Sequence, residues 1–248
     1  CGPGYADAQA FPAQTPDSEV TAPAVDIVAS RMKRATSVAT RSAVEVVTQA
    51  ARAAGWDLAE FATVFASQHG EIQIAVEQMR MMKEDSGIVS PARFKNSVHN
   101  TAAGMFSIGG KNRGFTTAVA AGDHSLALAL FEAWMLLASG EQSRVVVSIV
   151  EEPLPDPITE FSSHQAMAVA FALDLEPGET AGGPSLGCPV CTHSDQALPT
   201  LDDAPVEGFE GHTAEGALRI LRRHHANEGG HVALSEGSAN LWSIELRP

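Results

Sequence analysis

A short strand, a tight turn and an almost wholly apolar helix follow one another without a break near the middle of this chain. That succession constrains the fold more than any other feature. Residues Phe115, Thr116, Thr117, Ala118, Val119 and Ala120 form an aromatic, β-branched and small run behind Gly114, which suits a strand, and the run stops at Ala121-Gly122-Asp123. From Ser125 to Ser139 the sequence SLALALFEAWMLLAS is rich in strong helix formers, with Asp123 or Ser125 as N-cap and Gly140 just past the end. Only Glu132 is charged in it. At about 15 residues such a helix is too short to span a bilayer, so it is expected to lie between layers, covered on every side. Arg144 to Val150, RVVVSIV, is then an uninterrupted β-branched run of the kind found in strands buried on both faces.

Around this unit the expected elements alternate. Residues 1–24 are rich in Gly, Pro and small side chains and read as loop. Apolar residues at Ala43, Val46, Val47, Ala50 and Ala54 predict a helix from Thr36 that Gly55 closes, and Ala62 to Ser67 reads as a buried strand. Helical spacing returns from Glu71 to Lys83; Pro91 marks a boundary, and a helix of small residues is expected over Ser97 to Ile108. Ala166 to Leu175 reads as a strand, Ala214 to Ala226 as an amphipathic helix, and His231 to Leu234 with Leu241 to Leu246 as a terminal hairpin around Glu236-Gly237-Ser238. Residues 177–212 are Pro, Gly and Asp rich without periodicity and are expected to be a flexible loop insert. The class is therefore α/β, a mixed sheet with a buried central helix and layered helices, in one domain spanning residues 1–248.

Bulk properties exclude some functions. A net charge of −14 argues against binding nucleic acid or anionic membranes, since the only dense basic runs are Arg31 to Arg34 and Arg222 to His225. Neither a membrane-spanning apolar stretch nor a signal-peptide pattern is present, which makes a cytoplasmic location the default expectation. The chain starts at Cys1 rather than Met, which suggests a processed or truncated N-terminus.

A strand-to-helix elbow is where α/β enzymes often mount a nucleophile, because the turn exposes one side chain at a helix N-terminus. Here that place holds Gly122, which has no side chain. Ser125 beside His124 offers a hydroxyl and a base, but adjacent side chains point apart, so Ser125 is expected to cap the helix instead. His99 with Asn100 reads as a buried polar anchor. Cys188, Cys191 and His193 carry CxxC spacing plus a histidine, but a structural zinc site needs a fourth ligand, for which His212 is the remaining candidate. A CxxC in a Pro/Gly loop does not match a redox motif, which opens a helix.

The run Ser90-Pro91, Phe94, Ser97-Val98-His99-Asn100, Ala103-Gly104, Ser107-Ile108, followed by the elbow Ala120 to Leu126, resembles the β-ketoacyl synthase-like N-terminal domain family. The resemblance runs from about Gly2 to the C-terminus and is most specific over residues 61–152. It implies a thiolase-like half, the N-terminal half of a condensing enzyme, and the family includes chain-length-factor-like subunits of aryl polyene biosynthesis. In active members the elbow residue is a cysteine that takes the acyl chain, and two histidines from a C-terminal half assist decarboxylation of the extender unit. The resemblance places the cysteine position on Gly122, with Ala121, Asp123, His124 and Ser125 as its neighbours. His99 and His124 do not match the two histidines, no second strand-elbow-helix unit precedes Pro248, and a first strand expected before Gly2 is absent.

The resemblance further implies a subunit without catalytic residues or cofactor that pairs with a full-length ketosynthase and meets an acyl carrier protein through that partner. The strand Phe115 to Ala120 would form the paired edge. Residues Gly104 to Phe106 and Ala127 to Leu137 would line or support an acyl tunnel. Two rival readings come from the residues themselves: an acyltransferase or hydrolase using Ser125 or Ser97, and a metal-binding interaction domain centred on Cys188 and Cys191.

Overall fold

In the computed structural model a short helix α1 (Ser30–Lys33) leads into α2 (Val38–Ala53). Ser37 caps α2, its hydroxyl accepting from the Thr40 N–H at 2.9 Å, and Gly55 at φ +70° lets the chain turn away after it. Strand β1 (Ala62–Ala66) is buried along its whole length, and α3 (Ile72–Glu84) follows. Pro91 opens the separate one-turn helix α4 (Pro91–Phe94), so the helix expected from Ser97 begins only at α5 (Thr101–Gly109). Between them the hydroxyls of Ser97 and Thr101 donate to the carbonyls of Phe94 and Val98, at 2.8 and 2.7 Å, bonds that favour turns over a continuous helix.

Strand β2 (Thr116–Val119), helix α6 (Ser125–Ala138) and strand β3 (Arg144–Glu151) form the central unit. After a 3-10 turn comes β4 (Met167–Asp174), then the short strands β5 (Ser185–Leu186) and β6 (Val190–His193), helix α7 (Glu215–Ala226) and the hairpin strands β7 (Gly230–Glu236) and β8 (Asn240–Arg247). The structure describes every residue except 3, 13–15, 18, 20, 21, 35, 85, 86, 162–164, 176–183, 194–200, 202, 203 and 237–239.

One sheet has the order β2-β1-β3-β4, with β1 parallel to β2 and β3, and β4 antiparallel to β3. Its two faces explain the unbroken apolar run in β3. Val145, Val147 and Ile149 point into a core with Leu126, Leu130, Ala133 and Leu137 of α6, Leu218 of α7 and Ile244 of β8. Val146 and Val150 point the other way, toward Val44 and Val47 of α2 and Phe106 of α5. A second sheet, in which β8 pairs antiparallel with β5, β6 and β7, closes over the α6 and α7 side. This is the mixed α/β architecture with layered helices that the sequence implies.

Two expectations change. Residues 177–212 include β5 and β6, so this stretch supplies a sheet edge; the pairing partner, β8, is distant in sequence, which leaves no local periodicity to read. The parts at 176–183, 194–200, 202 and 203, like the hairpin tip at Gly237-Ser238, lie outside the described residues. Helix α6 is not covered on every side either. Its inner face is buried, but Phe131, Trp134 and Met135 are 37, 37 and 45 % exposed. Apolar composition says that a face avoids water, not that its cover belongs to the same chain.

Candidate elbow site and its flanking carboxylates

The three parallel strands β1, β2 and β3 end on the same side of the sheet, where open α/β sheets place their ligand crevices. At the end of β2 the chain turns through Gly122 at φ +58°, a left-handed backbone that side-chain-bearing residues avoid at a cost of about 1–2 kcal/mol. A Cβ at Gly122 would meet no atom within 4 Å, so the position is open as well as bare. Ser125 closes the turn: its Oγ accepts from the Ala121 N–H at 3.0 Å and donates to the Gly122 carbonyl at 2.6 Å. The residue is fully buried, with its hydroxyl spent on backbone, which removes it as a nucleophile. The N-cap position itself is His124, and no side chain caps it, a correction to the expected capping by Asp123 or Ser125.

Asp123 and His124 turn to different partners. Asp123 Oδ1 accepts from Gln68 Nε2 at 3.2 Å, tying the elbow to the loop after β1. His124 Nδ1 lies 2.7 Å from Ser235 Oγ, tying it to β7. His99 Nε2 lies 3.0 Å from the Ser67 carbonyl, as expected of a polar anchor. Ser97, the other candidate nucleophile, has its hydroxyl engaged by Phe94.

At the end of β3 and just before α3 lie Glu151, Glu152 and Glu71, all buried. Glu151 accepts hydrogen bonds from the Gln68 N–H and, at 3.4 Å, from the Ser67 hydroxyl, with His69 Nδ1 at 3.5 Å. Glu152 accepts from the Ala39 N–H at 3.2 Å and the Gln73 N–H at 3.4 Å, so one carboxyl pins the first turns of both α2 and α3 to the end of β3. Burial nevertheless dominates: it pushes the Glu152 pKa up to about 7, with Glu71 and Glu151 adding repulsion against the two N–H bonds. Burial also raises the pKa of Glu71, whose Oε1 accepts from the Thr40 hydroxyl. Sequence reading missed this group, although paired glutamates directly after a β-branched run signal carboxylates at the mouth of a buried strand.

Strand β2 is an edge. It bonds to β1 on one side, from Thr63↔Thr116 to Ala66↔Val119, and to no described strand on the other. Phe115 is 41 % exposed at its start, and the strand carries neither charge nor proline to guard it.

Cys191 and His193 sit on β6, paired with Trp242 and Asn240 of β8, and Cys188 lies just before the strand. Among the described residues no group of three or more His, Cys, Asp or Glu converges to hold a metal ion. Both ring nitrogens of His212 are engaged, by the Gln165 carbonyl at 3.0 Å and the Ala214 N–H at 2.9 Å. Burial pushes the Cys188 thiol up, away from the reactive thiolate. No described helix is long and apolar enough to cross a membrane.

Residues 8–243 match the β-ketoacyl synthase N-terminal domain. The chain belongs to that family. No curated protein gives a match. Among solved structures, the fold is shared with a chain of the ketosynthase ApeO in complex with its chain length factor ApeC from Xenorhabdus doucetiae, at a TM-score of 0.68 and 22% identity over 98% of this chain and 94% of that one. The ishigamide ketosynthase/chain length factor gives 0.67 and 15%, over 97% and 93%. A β-ketoacyl synthase from Burkholderia phymatum STM815 gives 0.52 and 16%, over 80% of this chain and 57% of that one.

Proposed function

We propose that this protein is a ketosynthase-like subunit without condensing activity, resembling a chain length factor, that pairs with a full-length ketosynthase in fatty-acid or polyketide synthesis of the aryl polyene type. One observation carries the reading. The elbow keeps the strained left-handed turn on which a nucleophile would be mounted, and it holds Gly122 there. The partner then supplies the cysteine and histidines and meets the acyl carrier protein, while Gly104 to Phe106 and the inner face of α6 support the acyl tunnel. Likeness to structures described as ketosynthase and chain length factor pairs supports the assignment.

Gly122→Cys tests the chemistry. Space around the position admits the side chain, so the variant should fold with about 1–2 kcal/mol of backbone strain. It should still release no carbon dioxide from a malonyl carrier, because a thiol alone cannot carry out the decarboxylation. Measured release by the isolated variant would overturn the reading.

The unguarded β2 edge is the proposed pairing strand. Val119 turns its backbone inward, its carbonyl accepting from the Ser67 N–H of the loop after β1 at 3.2 Å, so the outer edge is presented by Thr116 and Ala118. Ala118→Pro removes an outward N–H and stiffens the strand, so it should release a coexpressed ketosynthase or precipitate the chain, whereas the exposed Glu228→Ala should do neither. Light scattering on the chain alone and coexpressed with a ketosynthase from the same organism is the measurement. A stable monomer that ignores every ketosynthase offered contradicts the pairing.

A further inference from the structure

The terminal hairpin reaches the elbow through the contact between His124 Nδ1 and Ser235 Oγ at 2.7 Å. An irregularity in the hairpin puts Ser235 there. Strand β7 pairs with β8 as Val232↔Ile244 and Ala233↔Ser243, but the next pair is Ser235↔Trp242, so Leu234 is an extra residue. Side chains alternate with a period of two, and an unbulged strand would give Ser235 the face of Ala233. The bulge returns it to the face of Val232, Ile244 and Trp242, which packs toward α6 and therefore toward His124. Helix α7 presses on the same spot: a Cβ at Gly216 would stand 2.7 Å from the Cα and carbonyl oxygen of Leu234. Packing from a helix and pairing from a strand thus both define where the Ser235 hydroxyl points.

Ser235 also lines an open cleft of about 370 Å³ together with Asp123, Glu210, Gly211, Thr213 and Arg219. It is half-buried, unlike the sealed Ser125. A hydroxyl within hydrogen-bond reach of an imidazole, at the wall of a cleft large enough for a small substrate, has the arrangement that a nucleophile and its general base require.

We propose that Ser235 is a nucleophile served by His124, and that it accepts an acyl group from an activated ester, a thioester or an aryl ester, bound in this cleft. Oγ bonds to the acyl carbon as its proton passes to His124 Nδ1. The bond from that carbon to the leaving sulfur or oxygen then breaks, and the departing thiolate or phenolate takes the proton from His124. The products are an ester on Ser235 and a free thiol or phenol. Water attacks that ester by the same route, giving its proton to His124 and releasing a carboxylic acid while Ser235 recovers its hydrogen. This activity is separate from condensation, which forms a carbon–carbon bond and needs decarboxylation, so it stands or falls independently of the proposed pairing with a ketosynthase.

The test uses the full chain and 4-nitrophenyl acetate as probe, with intact mass and peptide mapping to locate the adduct and nitrophenolate release to give its rate. The expected result is one acetyl adduct on Ser235, absent in Ser235→Ala and formed at least about 100-fold more slowly in His124→Asn, in keeping with the worth of a general base. Ser97→Ala, away from the cleft, should react as the parent chain does. No adduct on the parent chain, an adduct that persists in Ser235→Ala, or a rate unchanged in His124→Asn overturns the proposal. The parent-chain result decides even where a variant fails to fold.

Discussion

Leu130→Asp is expected to abolish soluble, folded protein. Leu130 is 2 % exposed on the inner face of α6, against strands β1 and β3. A carboxylate there would be either ionised without a partner or neutral with unmet hydrogen bonds, which costs several kcal/mol in addition to the lost packing. Domains have only about 5–15 kcal/mol of stability to lose. Trp134→Asp, four residues on, separates two ideas about the helix. Sequence composition alone predicts equal damage, whereas the 37 % exposure of Trp134 places it on the outer face. The Trp134 variant should therefore remain folded, as judged by its circular dichroism melt and soluble yield. Equal loss of both variants would mean that the outer face is covered in the isolated chain.

Glu152 should make the parent chain lose stability, relative to a Glu152→Gln variant, between pH 5.5 and pH 8. Burial raises the folded-state pKa of Glu152 from 4.5 to about 7, so the folded chain holds this proton more tightly than the unfolded one. Its contribution is complete below about pH 4.5 and is lost as pH rises toward and past 7, about 3 kcal/mol at most. Glu71 is shifted in the same direction by burial. The Cys1 amino group opposes them: burial lowers its pKa to about 6, so its contribution is gained as pH rises from 6 to 8 and is common to parent and variant. Asp26, whose pKa a hydrogen bond from Arg52 lowers, is exposed and acts only in stronger acid. Glu152→Gln keeps the volume while removing the ionisation. The stability of the parent relative to the variant should fall as pH rises, even though in the variant one of the N–H groups of Ala39 and Gln73 loses its acceptor. Urea midpoints at the two pH values, for the parent chain and the variant, decide the matter. A parent chain whose stability changes with pH just as the variant's does would show that the two helix N-termini hold Glu152 ionised.

Much of the architecture is written in local sequence. The RVVVSIV run gives a doubly buried strand because β-branched residues without polar alternation suit no half-exposed surface, and β3 is that strand. Gly122 marks the elbow because the turn takes φ +58°, a conformation glycine enters at no steric cost.

Other features depend on residues far apart in the chain. Strands β5 and β6 have no pattern of their own, since their stabilising partner, β8, lies some fifty residues downstream, on the order of the span that sets loop-closure cost rather than local propensity. The exposed row Phe131, Trp134 and Met135 reads as core in sequence, and only the packed fold shows which side of α6 meets the sheet. Ser235 and His124 are 111 positions apart, joined because a one-residue bulge turns a strand face toward a helix end. Glu152 acquires its raised pKa from the helices that bury it. Sequence by itself determined the central strands, the principal helices and the elbow, because those choices rest on backbone conformation and short-range periodicity. Tertiary structure decided which faces stay open and which polar groups meet, because burial and hydrogen bonding depend on distances that only the packed chain defines.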